Sequence, residues 1–230
     1  MTFSKAYLLI FLLFDIDKAI YKDITTAYDI KQPDVLEAVF TYLAHNSSKI
    51  LNKDGLLKEM GISKVSLSNY LSYLRSAFLV YEAKTYSPNI KKSLRSQSKF
   101  YVCDTGLIGS ITAFSENVFT DNRKLGELVE TLIFNHCFAA AKEKSMRVFY
   151  WRDKQKNEVD VIIETGNRIT PVEVKYGSSI TKKDISGLLK FMDKFKIKKG
   201  IVVTTDLFKR EEMDGKEILF TPAWLFIMQF

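Results

Sequence analysis

Asp160, Glu173 and Lys175 are the residues of this chain whose types and spacing promise chemistry. They flank Thr165-Gly166-Asn167-Arg168. Gly-Asn suits a two-residue hairpin turn of type II′, because glycine supplies the positive φ at its first position. With Gly166-Asn167 as the turn, Thr165 pairs with Arg168 and the register of the whole hairpin follows. Counting back, Asp160 faces Glu173 and Glu158 faces Lys175. Alternation puts these four side chains on one face and Val159, Val161, Ile163, Val172 and Val174 on the other, as core. Directly opposed residues have Cβ atoms about 4.5–5.5 Å apart, and two carboxylates that close repel unless a positive charge lies between them. A divalent cation meets that need. Carboxylate oxygens are the hard ligands that Mg²⁺ accepts, with water completing its shell. Lys175, one step along the same face, is placed to orient a water or to stabilise charge developing on a phosphate. The plain alternative is a surface hairpin whose acids and lysines are merely solvated. Pro171 adds the prospect of a bulge that shifts the register.

A fourth acid comes from the preceding helix. Glu130 lies at helical neighbour spacing from Ile133, Phe134 and Cys137, and an acid on so apolar a surface needs a cation, a metal or a hydrogen bond. A salt bridge to Arg152 would serve as well as a metal. The elements expected to position this set are a helix over about Arg123–Lys142 and strands at Arg147–Trp151, Glu158–Glu164 and Arg168–Tyr176. A helix opened by Thr181 follows, with Asp184 as a capping-box acid, then a buried strand at Gly200–Thr205. A strand at Ile218–Phe220 and a short apolar helix over Ala223–Phe230 are expected to form the tail. The order αβββαβ predicts an α/β fold with a mixed sheet for residues 121–230.

Upstream, residues 31–120 read as a helix-turn-helix with a wing. Val35–His45 is amphipathic, Leu56–Met60 ends at Gly61, and Ser63 caps a helix with Leu67, Leu71, Leu74 and Phe78 on one side. Its other side offers Lys64, Ser66, Asn69 and Tyr73 to base edges and phosphates. Leu79-Val80-Tyr81 begins a strand. From Lys84 to Lys99 the cations Lys84, Lys91, Lys92, Arg95 and Lys99 occur with no acid among them, as a basic wing over phosphates would require. Helix-turn-helix units also serve as protein contacts. Residues 1–30 are apolar, and Ala6–Phe14 is too short to span a bilayer as a helix. Asp15-Ile16-Asp17-Lys18 follows it instead of a small-residue cleavage site, so a buried helix is expected rather than a signal peptide.

The composition agrees with a folded chain that meets a polyanion. Of 230 residues 47% are hydrophobic, and the formal charge is +7, which favours DNA first and an anionic membrane surface second. Cys103 and Cys137 form no CxxC pair, so structural zinc is not expected and a reducing cytoplasm is the simplest setting. His45 and His136 are the only histidines, and both read as structural.

Taken together, Gly126 to Glu130 (GxxxE), Glu158-Val159-Asp160 (EVD) and Pro171 to Lys175 (PVEVK) resemble the PD-(D/E)XK nuclease superfamily, which includes restriction endonucleases and archaeal Holliday-junction resolvases. More closely, the stretch from about Ala19 to Phe208 resembles the C-terminal part of archaeal and bacterial AAA-type ATPases, in which a winged helix and a nuclease-like domain follow the motor. The strings that carry it are IYKDI, ISKVSLSNYLSYLRSAFLV, KFYVCDTGL, GELVE, FYWRDKQKNEVDVII and PVEVK. The resemblance implies a restriction-endonuclease-like core after a helical, winged-helix domain. It implies that Asp160 and Glu173 hold Mg²⁺ or Mn²⁺, that Lys175 is the catalytic lysine and that Glu130 is the helix acid near the metal. The Val174 carbonyl completes the set, and Glu158 receives no catalytic role. One departure is large. No GxxxxGK[ST] loop occurs, so no ATP site is expected in this chain, and residues 1–30 read as a remnant of the relatives' ATPase module. The expected function is a Mg²⁺-dependent DNA endonuclease on duplex or branched DNA. The alternative is a non-catalytic DNA- or protein-binding module that works with an AAA-type ATPase, and no membrane is expected as a partner.

Overall fold

The computed structural model describes residues 5–112, 120–177 and 179–229, without side-chain detail for residues 5–10. Its contacts divide into two compact units. The first holds residues up to Glu82 together with Lys99 to Asn117, and the second holds Ala83–Ser98 together with Val118 to Phe230.

The first unit is mainly helical. It begins with α1 (Lys5–Asp17), a π-helix (Lys18–Ile24) and α2 (Thr25–Tyr28), followed by α3 (Pro33–His45), α4 (Lys53–Met60) and α5 (Lys64–Ser76). Leu36, Val39, Phe40 and Leu43 of α3 are buried, as are Leu67, Leu71 and Leu74 of α5, so the 3.6-residue periodicity of both helices faces one core. Asn52 and Ser63 cap α4 and α5 by accepting from the N–H groups of Gly55 and Ser66, and Gly61 closes α4 at φ +61°, the conformation glycine adopts without penalty. Phe78 does not join the Leu67 stripe. The helix has ended, Phe78 takes φ +59°, and its ring is 60% exposed. The N-terminal helix is only partly covered, because Ile16 and Ile20 are buried while Phe11 and Phe14 are more than 60% exposed. The expectation of a fully buried helix there is corrected for those two rings.

A two-stranded ribbon of β1 (Val80–Lys84) and β2 (Ser98–Val102) encloses the short helix α6 (Ile90–Arg95), and α7 (Thr105–Ile111) follows it. Lys99 is buried and therefore leaves the set of exposed cations in this segment.

After Ala83–Ser98 the second unit continues with α8 (Asn122–Glu143), whose first turn is capped by Asp121. Then come β3 (Arg147–Arg152), β4 (Glu158–Thr165), β5 (Arg168–Val174), α9 (Ser186–Phe195), β6 (Lys199–Thr204), β7 (Lys209–Met213), β8 (Lys216–Pro222) and α10 (Ala223–Gln229). The six strands form one mixed sheet in the order β3-β4-β5-β6-β8-β7. β5, β6 and β8 run parallel, and the remaining pairs are antiparallel. On one face α9 lays Leu188, Leu189, Phe191 and Met192 against Trp151, Val159, Ile162, Val202, Ile218 and Phe220. Gly187, near the start of α9, sits so close to β4 that an added Cβ would lie 2.2 Å from the Glu158 carbonyl oxygen. No described helix is long and apolar enough to cross a membrane.

Candidate functional site

The hairpin forms in the expected register. Thr165 pairs with Arg168, and pairing continues without a shift to Val161 opposite Val172, where it ends, so the expected pairs Asp160–Glu173 and Glu158–Lys175 lie outside the ladder. Gly166 adopts φ +56° and Asn167 does not share the positive φ, as the II′ turn requires. Pro171 opposes Ile162 without breaking this register. It lies one residue before Val172, where pairing with β6 starts, so its missing N–H removes no bond from that neighbour.

The irregularity falls on the other side of β4. Between Phe149–Ile162 and Trp151–Val159 the β3–β4 register shifts, so β4 carries one extra residue around Asp160 and Val161. In consequence Val159 and Ile162 both point into the α9 cluster. Val159 thus leaves the face assigned to it with Val161 and Ile163, because strict alternation fails across a bulge.

At this bulge the β4–β5 ladder stops and side chains take over. The Asp160 Oδ2 accepts a 2.8 Å hydrogen bond from the Val174 N–H, which ties the carboxylate to the end of β5. Val174 thus offers its amide to the site, a role with no sequence signal because it belongs to the backbone. Glu173 is buried; its Oε1 meets the Lys175 Nζ at 2.6 Å, and its Oε2 is buried with no hydrogen-bond partner among the described residues. Burial, then the Asp160 charge and, more weakly, Glu130, push the Glu173 carboxyl well above its ordinary range, against the opposing pull of Lys175. For Lys175, burial disfavours the ammonium, but Glu173, Asp160 and Glu130 outweigh it and hold its pKa above the usual lysine value. Lys175 is therefore the charged member of this pair, and Glu173 is the acid that resists ionisation.

Glu130 is half-buried on α8, and its charge acts on both Glu173 and Lys175. Among the described residues, however, no three His, Cys, Asp or Glu side chains meet at metal-binding geometry. Asp160, Glu173 and Lys175 are brought together; Glu130 is electrostatically near without joining a ligand triad. Arg152 pairs with Glu158 at 3.5 Å, which gives Glu158 a structural task. Thr181 and Asp184 do bond, through both the N–H and the hydroxyl of Thr181, but α9 begins later, at Ser186. Cys103 and Cys137 are free, and burial raises their thiols to about 11 and about 12, so neither is a nucleophile at neutral pH.

The residues assigned to DNA fall on two elements. Lys64, Ser66 and Asn69 lie on α5, where Lys64 and Asn69 are exposed and the Ser66 hydroxyl is 2.9 Å from that of Ser63. Tyr73 stacks on Tyr28 with ring centroids 4.1 Å apart. Lys91, Lys92 and Arg95 are exposed on α6, beside the equally exposed Ile90 and Leu94.

Two family matches divide the chain. Residues 125–224 match the family described as domain of unknown function DUF4143, and residues 6–118 match the one described as domain of unknown function DUF8612. An uncharacterised protein of Haemophilus influenzae is 25% identical over 214 residues, which cover 91% of this chain and 50% of that protein. One of Methanocaldococcus jannaschii is 29% identical over 223 residues, covering 91% of this chain and 48% of its own length. A protein of Mycobacterium tuberculosis, also described as uncharacterised, is 26% identical over 145 residues, 63% of this chain and 32% of its own. The chain thus spans about half the length, or less, of these relatives.

Proposed function

We propose that this chain is a DNA-binding, Mg²⁺-dependent endonuclease that hydrolyses phosphodiester bonds in duplex or branched DNA. In this reading a restriction-endonuclease-like core follows a winged-helix domain. The observation that carries it is the Glu173 Oε2, buried without a hydrogen-bond partner among the described residues and repelled by Asp160. A buried acceptor of that kind costs about 1–3 kcal/mol unless something positive satisfies it. Asp160 and Glu173 offer hard oxygen donors, with water to complete the shell, and such donors fit Mg²⁺ or Mn²⁺. When bound, the ion would lower the pKa of a water and counter the charge of the reacting phosphate. The residues of the chain supply the rest. Val174 N–H fixes the direction of Asp160, Lys175 keeps its ammonium charged beside the acids and stabilises negative charge on the phosphate, and Glu130 raises the local negative potential that draws a cation. Lys64, Ser66 and Asn69 on α5, with Lys91, Lys92 and Arg95 on α6, hold the DNA backbone and bases.

Cleavage of supercoiled plasmid and of a four-way junction with Mg²⁺ or Mn²⁺, by the wild type and by Asp160→Ala, tests this. Metal-dependent nicking that the substitution abolishes is expected. DNA binding without cleavage, unchanged by the substitution, rejects the enzyme reading for this chain. A second reading is a non-catalytic module that works with an AAA-type ATPase. It is favoured by the lack, among the described residues, of three acids at metal-binding geometry, and co-purification with an ATPase subunit is its test.

A further inference from the structure

At the opposite end of β5 from the carboxylates, the sheet carries a concavity. Its volume is about 600 Å³, within the range of small-molecule sites. Val202, Ile218 and Phe220 point into the α9 cluster, so Ile201 and Leu219, one residue along each strand, face the other way and form an apolar floor. Thr170 adds a hydroxyl to the lining, and Arg168, Lys198, Lys199 and Arg210 stand around it with Glu217 as the only acid. That acid is already shared, at 3.1 Å from Lys199 and 4.0 Å from Arg210. Arg168 and Lys198 have no acidic partner among the described residues, so the cavity holds uncompensated positive charge above an apolar surface.

We propose that this cavity binds a nucleotide unit, with its phosphate at Arg168 and Lys198 and its base on Ile201 and Leu219. A bare inorganic anion would match the cations and leave the floor wet. An uncharged apolar ligand would cover the floor and leave two cations unmatched. A nucleoside phosphate supplies both an anion and a flat, weakly hydrated ring, and arginine holds phosphate through two parallel N–H groups. The nucleotide has two sources, a free mononucleotide or a residue of a nucleic acid strand. Five residues of extended β5, about 17 Å, separate Arg168 from Glu173, so the site is distinct from the carboxylates.

Calorimetric titration of the full chain carrying Asp160→Asn in metal-free buffer tests the site separately from cleavage. The probes are AMP, inorganic phosphate and a dT8 oligonucleotide with and without a 5′ phosphate. AMP or the phosphorylated oligonucleotide is expected to bind at least tenfold more tightly than inorganic phosphate. Arg168→Gln combined with Lys198→Gln, both exposed positions, is expected to weaken that binding at least tenfold without changing the melting temperature. Tighter binding of AMP than of the oligonucleotide supports a free nucleotide, and the reverse supports a strand. Equal binding of AMP and inorganic phosphate, no saturable binding of AMP or oligonucleotide, or binding indifferent to the double variant overturns the proposal.

Discussion

At Asp160 and Glu173 two carboxyl groups, which repel each other when both are ionised, share a buried corner where β4 leaves β5. Their repulsion lowers the stability of the metal-free fold, a cost proteins accept where a site must later hold a cation. Asp160→Asn keeps an oxygen for the Val174 N–H and removes one of the charges. It is expected to stabilise the metal-free protein by about 1 kcal/mol; under the proposed function Mg²⁺ should raise the melting temperature of the wild type and not that of the variant, and thermal melts with and without Mg²⁺ read both effects. The pH dependence follows from the sign of the Glu173 shift. Its folded-state pKa is raised, so its contribution to stability is complete below the ordinary glutamate value and is lost as pH rises through the raised one. Metal-free melting temperature should therefore fall with rising pH more in the wild type than in Glu173→Gln. A fall of equal size in both proteins would refute this account. Lys175→Gln removes the ammonium held above its usual pKa, and cleavage in the plasmid assay should drop by about 10²-fold or more.

Among the elements, α9 decides how β4 is held near the site. Gly187 brings the helix against the Glu158 backbone, and backbone cannot swing aside as a side chain can. Gly187→Ala is expected to cost about 3 kcal/mol, at the upper end for overpacking. Gly126, on α8, has nothing within 4 Å of an added Cβ. Gly126→Ala should instead stabilise by about 0.5–1 kcal/mol through the lower chain entropy of alanine. Denaturant midpoints for the two variants should therefore move in opposite directions. The hairpin of β7 and β8 makes a related point about legibility. Its turn, Asp214-Gly215, has both residues at positive φ, a type I′ signature, yet Lys-Arg-Glu-Glu-Met lacks the hydrophobic alternation by which strands are recognised. β7 pairs only with β8 at the sheet edge, and an edge strand needs no apolar face.

Across the molecule, the candidate nucleic-acid contacts are distributed over both units. Lys64 and Asn69 belong to the first and Lys91, Lys92 and Arg95 to the second, while the excess charge of +7 acts at longer range. Replacing Lys91, Lys92 and Arg95 together by Gln should weaken DNA binding and flatten its dependence on salt. The slope of log affinity against log salt is expected to fall by about 0.9 for each phosphate that the variant no longer neutralises. An unchanged slope in anisotropy titrations would remove α6 from the DNA interface.

The sequence alone determined what depends on neighbours along the chain. The II′ turn at Gly166-Asn167 set the hairpin register, Ser63 and Gly61 set helix boundaries, and the 3.6-residue stripes on α3 and α5 named most of the buried leucines. Phe78 was misplaced because the helix ends before it, and Lys99 because its burial depends on tertiary packing. Only the tertiary structure decided the bulge at Asp160-Val161, since a bulge arises from the mismatch of β4 with a partner strand rather than from either strand's own pattern. That bulge sends Val159 to the α9 side, and the end of the β4–β5 ladder there leaves the Val174 amide to Asp160. The burial that raises the Glu173 carboxyl is likewise a property of packed surfaces that no run of residue types contains.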